Sequence, residues 1–169
     1  MDEIDSKILS AKVVMLCGVS GSGKTTMAER LTKEGFVKVS SDEMLWDKYG
    51  SDFASMPFPE KKRAFMNLGK EITQEVGRNL ASGKRVVVDA TNCKRFKRDA
   101  LRDVCRLHDT EPTVVWLDIP FEELKKRLSG RKGSGPNDQI VTEEQLKAFI
   151  RDLKLRNQTK TPSCFTHNA

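Results

Sequence analysis

A glycine-rich segment near the start of the chain has the residue types and spacing that bind phosphate groups. Gly18-Val19-Ser20-Gly21-Ser22-Gly23-Lys24-Thr25 matches the pattern G-x-x-x-x-G-K-[ST] in full. Glycines let successive backbone N–H groups turn inward around an anion, and the helix expected next adds its positive N-terminal end. The segment therefore predicts a site for the phosphates of ATP.

Each fixed position of this segment has a predicted role in holding ATP and Mg²⁺. Lys24 supplies a positive charge to the β- and γ-phosphates, and the Thr25 hydroxyl is a ligand of Mg²⁺. The other predicted nucleotide contacts are Gly18, Ser20, Gly21, Ser22, Gly23 and Thr26. An ordinary Gly/Ser loop is the alternative, but an apolar run precedes the segment and a helical pattern follows it, as a phosphate-binding loop requires.

A second apolar run, Val86-Val87-Val88, ends in the acidic residue Asp89. An apolar strand closed by an acid is the Walker B arrangement, in which the carboxylate holds Mg²⁺ directly or through water. Acids are common at strand ends, so this pattern has weight only beside a complete phosphate-binding loop. We predict that Asp89 joins Thr25 in holding the metal.

Two carboxylates that follow another predicted strand are candidates for activating an acceptor. A kinase that acts on a hydroxyl uses a carboxylate to orient the attacking oxygen and take its proton. Ser40-Ser41-Asp42-Glu43 offers one, although Ser40 and Glu43 also fit a capping box for the next helix. We predict that Asp42 is the base while Glu43 caps, and Glu43 is the less favoured alternative base.

A basic, glycine-rich stretch over residues 128–140 is predicted to be a short lid. Arg127 precedes it and Arg131 and Lys132 lie near its start, and charge on the transferring phosphoryl group calls for cations that a closing lid delivers. The alternative is a solvated basic helix end, which complements the helix dipole. We predict catalytic roles for Arg127 and Arg131, and leave Lys132 open.

The elements that would position these residues alternate between strands and helices. Strands are predicted over residues 13–17, 36–40, 85–89 and 113–118, and helices over residues 25–34, 60–82, 94–108, 121–128 and 143–156. This alternation predicts an α/β fold, a parallel sheet with helices on both faces. Ligands bind such sheets at the carboxyl ends of the strands, where the candidate residues fall.

Composition limits the class of protein further. The 169 residues suit a single domain over residues 1–169, and 30 Lys and Arg against 24 Asp and Glu leave a net charge of +6. That charge favours an anionic partner such as ATP or nucleic acid, although a soluble domain carries it equally well without one. The four cysteines form no C-x-x-C pair and the apolar runs are too short for a bilayer, so we expect a cytoplasmic protein with reduced thiols and no membrane partner.

Together these motifs resemble the kinase domain of phage-type polynucleotide 5′-kinases and the small ATP-dependent kinases related to it. The resemblance covers about residues 13–156 and depends on the phosphate-binding segment, Ser41-Asp42-Glu43, Asp89-Ala90-Thr91-Asn92 and the pair Arg127 and Arg131. It implies a nucleoside-monophosphate-kinase-like P-loop fold with four or five strands. It also implies that Asp42 activates the acceptor, while Asp89, Thr91 and Asn92 shape the acceptor pocket.

The acceptor stays open between two classes of kinase. Related polynucleotide kinases often carry an arginine three residues after the catalytic aspartate, where this chain has Leu45, and Arg95 is a candidate substitute. A polynucleotide 5′-hydroxyl is the first hypothesis. A small hydroxylated metabolite, as in gluconate-type sugar or nucleoside kinases, is the second, and a non-catalytic ATP-binding module is the third. GTPases are excluded because the chain lacks their Asn-Lys-x-Asp motif.

Overall fold

A parallel five-stranded sheet forms the centre of the computed structural model, which describes residues 4–92, 94–136, 138, 140–154 and 164–167. The strands are β1 (Val13–Cys17), β2 (Phe36–Ser40), β3 (Arg85–Asp89), β4 (Thr113–Leu117) and β5 (Cys164–His167). They lie in the order β2-β3-β1-β4-β5, and every neighbouring pair is parallel. The predicted parallel α/β sheet is confirmed.

Helices connect these strands throughout the described part of the chain. They are α1 (Ser6–Ser10), α2 (Lys24–Lys33), α3 (Ser41–Tyr49), α4 (Asp52–Ser55), α5 (Phe58–Ala81), α6 (Arg95–Leu107), α7 (Phe121–Ser129) and α8 (Glu143–Lys154). Three of them, α3 to α5, lie between β2 and β3, and α6 returns the chain from β3 to β4. The helix predicted over residues 143–156 begins as expected, and residues 155 and 156 lie outside the described residues.

The sheet is buried on both faces, which explains the uninterrupted apolar sequence of its strands. All five residues of β1 are buried, as is typical of a parallel sheet covered by helices on each side. Met15 and Val88 face a core formed with α3, α5 and α6, whereas Val14 and Val87 face a core formed with α1 and α2. Alternate residues of each strand therefore face two helical layers, one on each side of the sheet.

A third apolar cluster attaches the end of the chain to the phosphate-binding loop. Val19 in that loop packs with Leu124 and Leu128 of α7 and with Leu146 of α8. The contact is close, since a Cβ placed on Gly21 would lie 3.3 Å from Leu128. The C-terminal part of α7 therefore packs directly against the loop. Among the described helices, none is long and apolar enough to cross a bilayer.

Candidate active site

The segment between β1 and α2 curves around the N-terminus of α2. Gly21 and Gly23 have φ angles of 82° and 94°, which residues with a Cβ rarely adopt. A Cβ on Gly18 would lie 2.5 Å from Ser22 Oγ and 3.2 Å from the carbonyl oxygen of Leu117. No side chain caps α2 at Gly23, so its first N–H groups and its dipole are directed at the loop and suit a phosphate.

The side chains of Lys24 and Ser22 occupy different environments in the loop. The Lys24 ammonium donates a hydrogen bond to the Val19 carbonyl oxygen at 2.9 Å, so it lies across the loop. Ser22 is fully buried, and its N–H donates to the same carbonyl at 3.2 Å. Lys24 lines the cleft, whereas Ser22 lies buried behind the loop.

The Thr25 hydroxyl and the Asp89 carboxylate, the two groups predicted to hold a metal, lie next to each other. The Thr25 hydroxyl donates to Asp89 Oδ2 at 3.0 Å, and Asp89 is only 5% exposed. Burial raises the pKa of Asp89 above its usual value, while Lys24 and the Thr25 hydrogen bond act in the opposite direction. A hydroxyl and a carboxylate suit Mg²⁺, which completes its octahedron with phosphate and water oxygens.

Asp42 lies in the first turn of α3, directly after β2. Ser40, the last residue of β2, is aligned with Asp89 in the neighbouring strand, and the Ser41 hydroxyl donates to the Asp89 carbonyl at 3.5 Å. These contacts bring Asp42 to the same edge as Asp89. Asp42 is exposed to solvent and lines the cleft.

The electrostatic surroundings of Asp42 favour a carboxylate that can take up a proton. Neighbouring protein atoms desolvate the Asp42 carboxylate although the residue keeps exposed area, and this desolvation raises its pKa; Lys24 lowers the pKa, Asp89 raises it and Arg131 lowers it. The net direction is upward, so Asp42 binds a proton more readily than an unperturbed aspartate. This is the property expected of a group that accepts a hydroxyl proton.

Glu43 has a different partner from the one that the capping-box pattern predicts. Its N–H donates to Ser40 Oγ at 3.4 Å, which is one half of the box. Its carboxylate forms an ion pair with Lys38 of β2 instead of reaching back to the cap. The pairing explains why Asp42, and not Glu43, lines the cleft.

An open cleft of about 640 Å³ gathers most of the predicted nucleotide and catalytic residues. Those that line it are Ser20, Gly21, Gly23, Lys24, Thr25, Thr26, Asp42, Arg127 and Arg131. Those that do not line it are Gly18, Ser22, Asp89, Thr91, Asn92 and Arg95. The cleft also has contributions from Glu29 and Arg30 of α2, which the motif did not identify.

The predicted lid begins at α7 and reaches the phosphate-binding loop. Arg127 donates to the Gly21 carbonyl oxygen at 3.2 Å and to Glu123 at 2.9 Å. Beyond α7, Asp138 accepts from the Ser134 hydroxyl at 2.6 Å and from the N–H of Lys132 at 3.2 Å. The Asp138 contacts fold the lid into a compact turn; residues 137 and 139 lie outside the described residues.

The predicted site residues after β3 differ in burial, since Asn92 lies in the interior and Arg95 lies on the surface. Asn92 is 3% exposed with a positive φ of 43°, and its side chain donates to the Leu16 carbonyl at 2.9 Å. The Thr91 carbonyl accepts from the Gly18 N–H at 3.4 Å. Asn92 therefore shapes the site from behind, without reaching the cleft. Arg95 is 69% exposed and pairs with Asp99 at 3.5 Å.

Sequence reasoning missed Arg98, the most deeply buried arginine among the described residues. It is 3% exposed, donates to the Asn92 carbonyl at 3.0 Å, and has its guanidinium 5.3 Å from the Trp116 ring. A signal was present, because Arg98, Leu101 and Cys105 share one helical face. The many charged residues of α6 obscured this buried face in the sequence.

The family model described as AAA domain (AAA_33) matches residues 13–155 of the chain. The chain is 28% identical over 160 residues to a shikimate kinase of Parabacteroides distasonis, an alignment that covers 94% of this chain and 88% of the relative. It is 30% identical over 150 residues to UMP-CMP kinase 2 of Oryza sativa subsp. japonica, of which it spans only 58%.

Solved structures show the same fold at lower identity. A chain of the Pnkp1/Rnl/Hen1 RNA repair complex superposes with a TM-score of 0.68 at 23% identity, covering 89% of this chain and 46% of that one. A gluconokinase from Sinorhizobium meliloti 1021 gives a TM-score of 0.61 at 21% identity, covering 95% and 83%. These identities support the fold alone.

Proposed function

The chain belongs to the AAA_33 family of P-loop kinases, and we propose that it transfers the γ-phosphate of ATP to the 5′-hydroxyl of a polynucleotide. The observation that carries the proposal is the meeting of Asp42 and Lys24 in one cleft at the ends of β2 and β1. Lys24 belongs to the phosphate-binding loop, and Asp42 lies where an acceptor would approach. A nucleotide-binding module without chemistry needs no such carboxylate.

In the proposed mechanism, Asp42 orients the acceptor hydroxyl and takes its proton as the oxygen attacks the γ-phosphorus of ATP. The bond between the γ-phosphorus and the β–γ bridging oxygen breaks, and ADP leaves. The raised pKa of Asp42 favours that proton transfer. Lys24 neutralises charge on the phosphates, and Thr25 with Asp89 would hold Mg²⁺. When bound, Mg²⁺ offsets the negative charge of the phosphates during transfer.

The arginines of the lid supply the remaining positive charge in this mechanism. Arg131 lines the cleft and influences the pKa of Asp42, and Arg127 is tied to the loop through Gly21. Planar guanidinium groups bind phosphoryl oxygens in pairs of hydrogen bonds. We assign to both arginines the stabilisation of charge on the transferred group.

The surface next to the acceptor side supports a polyanionic acceptor. The N-terminus of α6 starts just after Thr91 and Asn92, and its first turn contains no acidic residue. Lys94 and Arg95 are exposed there, and a helix N-terminus adds further positive potential. The fold is also compatible with polynucleotide chemistry, since it occurs in an RNA repair complex.

A small hydroxylated metabolite is the second candidate acceptor, and two observations favour it. Leu45, where related polynucleotide kinases often carry an arginine, is 4% exposed and packs in the core. The shikimate kinase of Parabacteroides distasonis also aligns over nearly all of both chains. Both observations bear on the identity of the acceptor and do not affect the assignment of the ATP-binding residues.

The deciding experiment is transfer of labelled γ-phosphate from ATP, with Mg²⁺, to DNA and RNA oligonucleotides that carry a 5′-hydroxyl. Label on the 5′ end that disappears in Asp42→Asn supports the proposal, and an expected loss of about 10²- to 10⁴-fold fits a general base. Asp47→Asn, an exposed carboxylate further along α3, is the matched control.

The outcomes separate the three readings of the site. Transfer to shikimate, gluconate or a nucleoside, but to no oligonucleotide, would favour the metabolite kinase. Binding of ATP without transfer to any of these acceptors would leave a nucleotide-binding module. Unchanged transfer in Asp42→Asn would refute the role of Asp42 under either acceptor.

A further inference from the structure

The N-terminal half of α5 extends beyond the sheet on the side where the site lies. The helix has 24 residues, about 36 Å at 1.5 Å per residue. It ends just before β3, whose five residues span about 16 Å. Since Ile72 and Val76 pack on the sheet, the stretch from Phe58 onward must project past the carboxyl edge of the strands.

This projecting part of α5 belongs to the acceptor side of the site. Asp42 starts α3, and the other end of α3 is joined to α5 by an ion pair between Lys48 and Glu71. The rings of Phe53 and Phe65 stack edge to face with centroids 5.3 Å apart. Helices α3, α4 and α5 are thus held together at this edge of the sheet.

One exposed row on this projection alternates between apolar and basic side chains. Phe58, Lys62, Met66 and Lys70 are spaced by four residues and therefore form a single ridge on the helix. We call this row the α5 ridge. Phe58 is 78% exposed and Met66 is 63% exposed, and both lysines are exposed. The ridge lies nearly half a turn from the buried stripe of Ala64, Leu68 and Ile72, so packing of the core does not require it.

The composition of the ridge indicates which kind of partner it fits. Residues 58–70 contain four basic residues and one acidic residue. Lysine is depleted from the cores of protein interfaces, and lysines interrupt the apolar area here. Apolar faces combined with cations are instead typical of surfaces that bind single-stranded nucleic acid, where bases stack and phosphates meet positive charge.

We propose that the α5 ridge is a track for the single strand that leads away from the acceptor 5′-hydroxyl. Bases stack on Phe58 and Met66, and phosphates lie against Lys62 and Lys70. The ridge spans about 18 Å, which equals about five stacked nucleotides at 3.4 Å each. This inference rests on the proposed polynucleotide acceptor and adds that the acceptor is bound as an unpaired strand several nucleotides long.

The test compares a 5′-hydroxyl decanucleotide with a 5′-hydroxyl dinucleotide as acceptors. In the wild type, the decanucleotide should have the lower KM because only it reaches the ridge. In the double variant Phe58→Ala, Met66→Ala, the KM of the decanucleotide should rise about 5-fold or more, the loss expected for one stacked base. The KM of the dinucleotide and that of ATP should not change.

A second variant tests the phosphate contacts. In Lys62→Gln, Lys70→Gln, the dependence of log KM on log salt should become shallower by about 1.4, since each phosphate contact on a single strand contributes about 0.7. The matched controls are Leu107→Ala, an apolar side chain that is 82% exposed, and Lys84→Gln. Both controls lie at the opposite edge of the sheet and should behave as wild type.

The results distinguish failure of the ridge from failure of the proposed acceptor. Equal KM values for the two acceptors in the wild type, or no effect of either double variant, would overturn the ridge while 5′ phosphorylation stands. If no polynucleotide is phosphorylated, the proposed acceptor fails, and anisotropy of a fluorescein-labelled decanucleotide then tests the ridge without turnover. Binding that is absent, or that the variants do not weaken, would overturn it. A wild-type dimer that Phe58→Ala, Met66→Ala converts to monomer would also overturn it.

Discussion

Replacement of Arg98 by methionine should destabilise the fold and disturb the acceptor side of the site together. Arg98 is 3% exposed and donates to the Asn92 carbonyl at 3.0 Å, with its guanidinium 5.3 Å from the Trp116 ring. Methionine has a similar length and retains the apolar contacts, but it offers no donor and no charge. The Asn92 carbonyl would thus lose this donor in a buried position.

The expected magnitude follows from those contacts. A hydrogen bond from a charged donor contributes about 1.5–3 kcal/mol, and a desolvated cation–π contact contributes about 2 kcal/mol. Removing the guanidinium also ends the cost of keeping it buried, which offsets part of the loss. A net loss of about 2–3 kcal/mol lowers the thermal midpoint by about 4–12 °C in a chain of this size.

Thermal unfolding of Arg98→Met, followed by circular dichroism, measures this loss. Arg106→Met is the control, since Arg106 lies on the same helix, is 59% exposed and forms surface ion pairs with Asp103 and Glu111; its midpoint should change by about 2 °C or less. The KM of the acceptor should also rise in Arg98→Met, because the segment that contains Asn92 contacts both halves of the site. An Arg98→Met midpoint within about 2 °C of wild type would refute the reasoning.

Three other substitutions or treatments test the rest of the site. Lys24→Ala should reduce turnover by about 10²-fold or more with the fold retained by circular dichroism; near-normal turnover would contradict its role. Asp89→Asn should raise the free energy of unfolding of the ligand-free protein at pH 7.5 by about 0.5–2 kcal/mol, and its thermal midpoint with it, because burial raises the pKa of Asp89 and its charged form is disfavoured in the fold. That gain should shrink as the pH falls and wild-type Asp89 takes up a proton, and the variant should lose the stabilisation by Mg·ATP; a lower midpoint at pH 7.5 would be the contrary result. Burial raises the pKa of Cys105 to about 11, so iodoacetamide at pH 8 should alkylate it about 100-fold more slowly in the native than in the unfolded chain, as peptide mass spectrometry would report.

The fold was predictable where a run or regular pattern of apolar residues was bounded by polar or turn residues. Each of the strands β1, β2 and β3 begins and ends at the predicted residues, because an uninterrupted apolar run between polar turns has few alternatives in a buried sheet. Helix α5 was predicted within two residues at each end. The short helices α1 and α4 and the strand β5 were missed, because four or five residues carry too little periodic signal and depend on tertiary contacts.

The parts of the site that short sequence motifs define were predictable, and the parts that depend on contacts between distant residues were not. The phosphate-binding loop and Asp42 do line one cleft. Interior supports such as Arg98 and the pairing of Glu43 with Lys38 were not foreseen. Such contacts depend on which strands are neighbours in space, and β2 lies next to β3 although α3, α4 and α5 separate them in sequence.

The segment after β3 joins the two halves of the site and so couples them. The Thr91 carbonyl accepts from Gly18 at the start of the phosphate-binding loop, and the Asn92 side chain donates to Leu16 of β1. On the other side, Ser41 next to Asp42 donates to the carbonyl of Asp89. Because β3 lies between β2 and β1, a shift of this segment changes the distance between Asp42 and Lys24. In the proposed assignment, the contacts that select the acceptor lie further out, on α5 and the start of α6, so acceptor preference could change there without any alteration of the phosphate-binding loop.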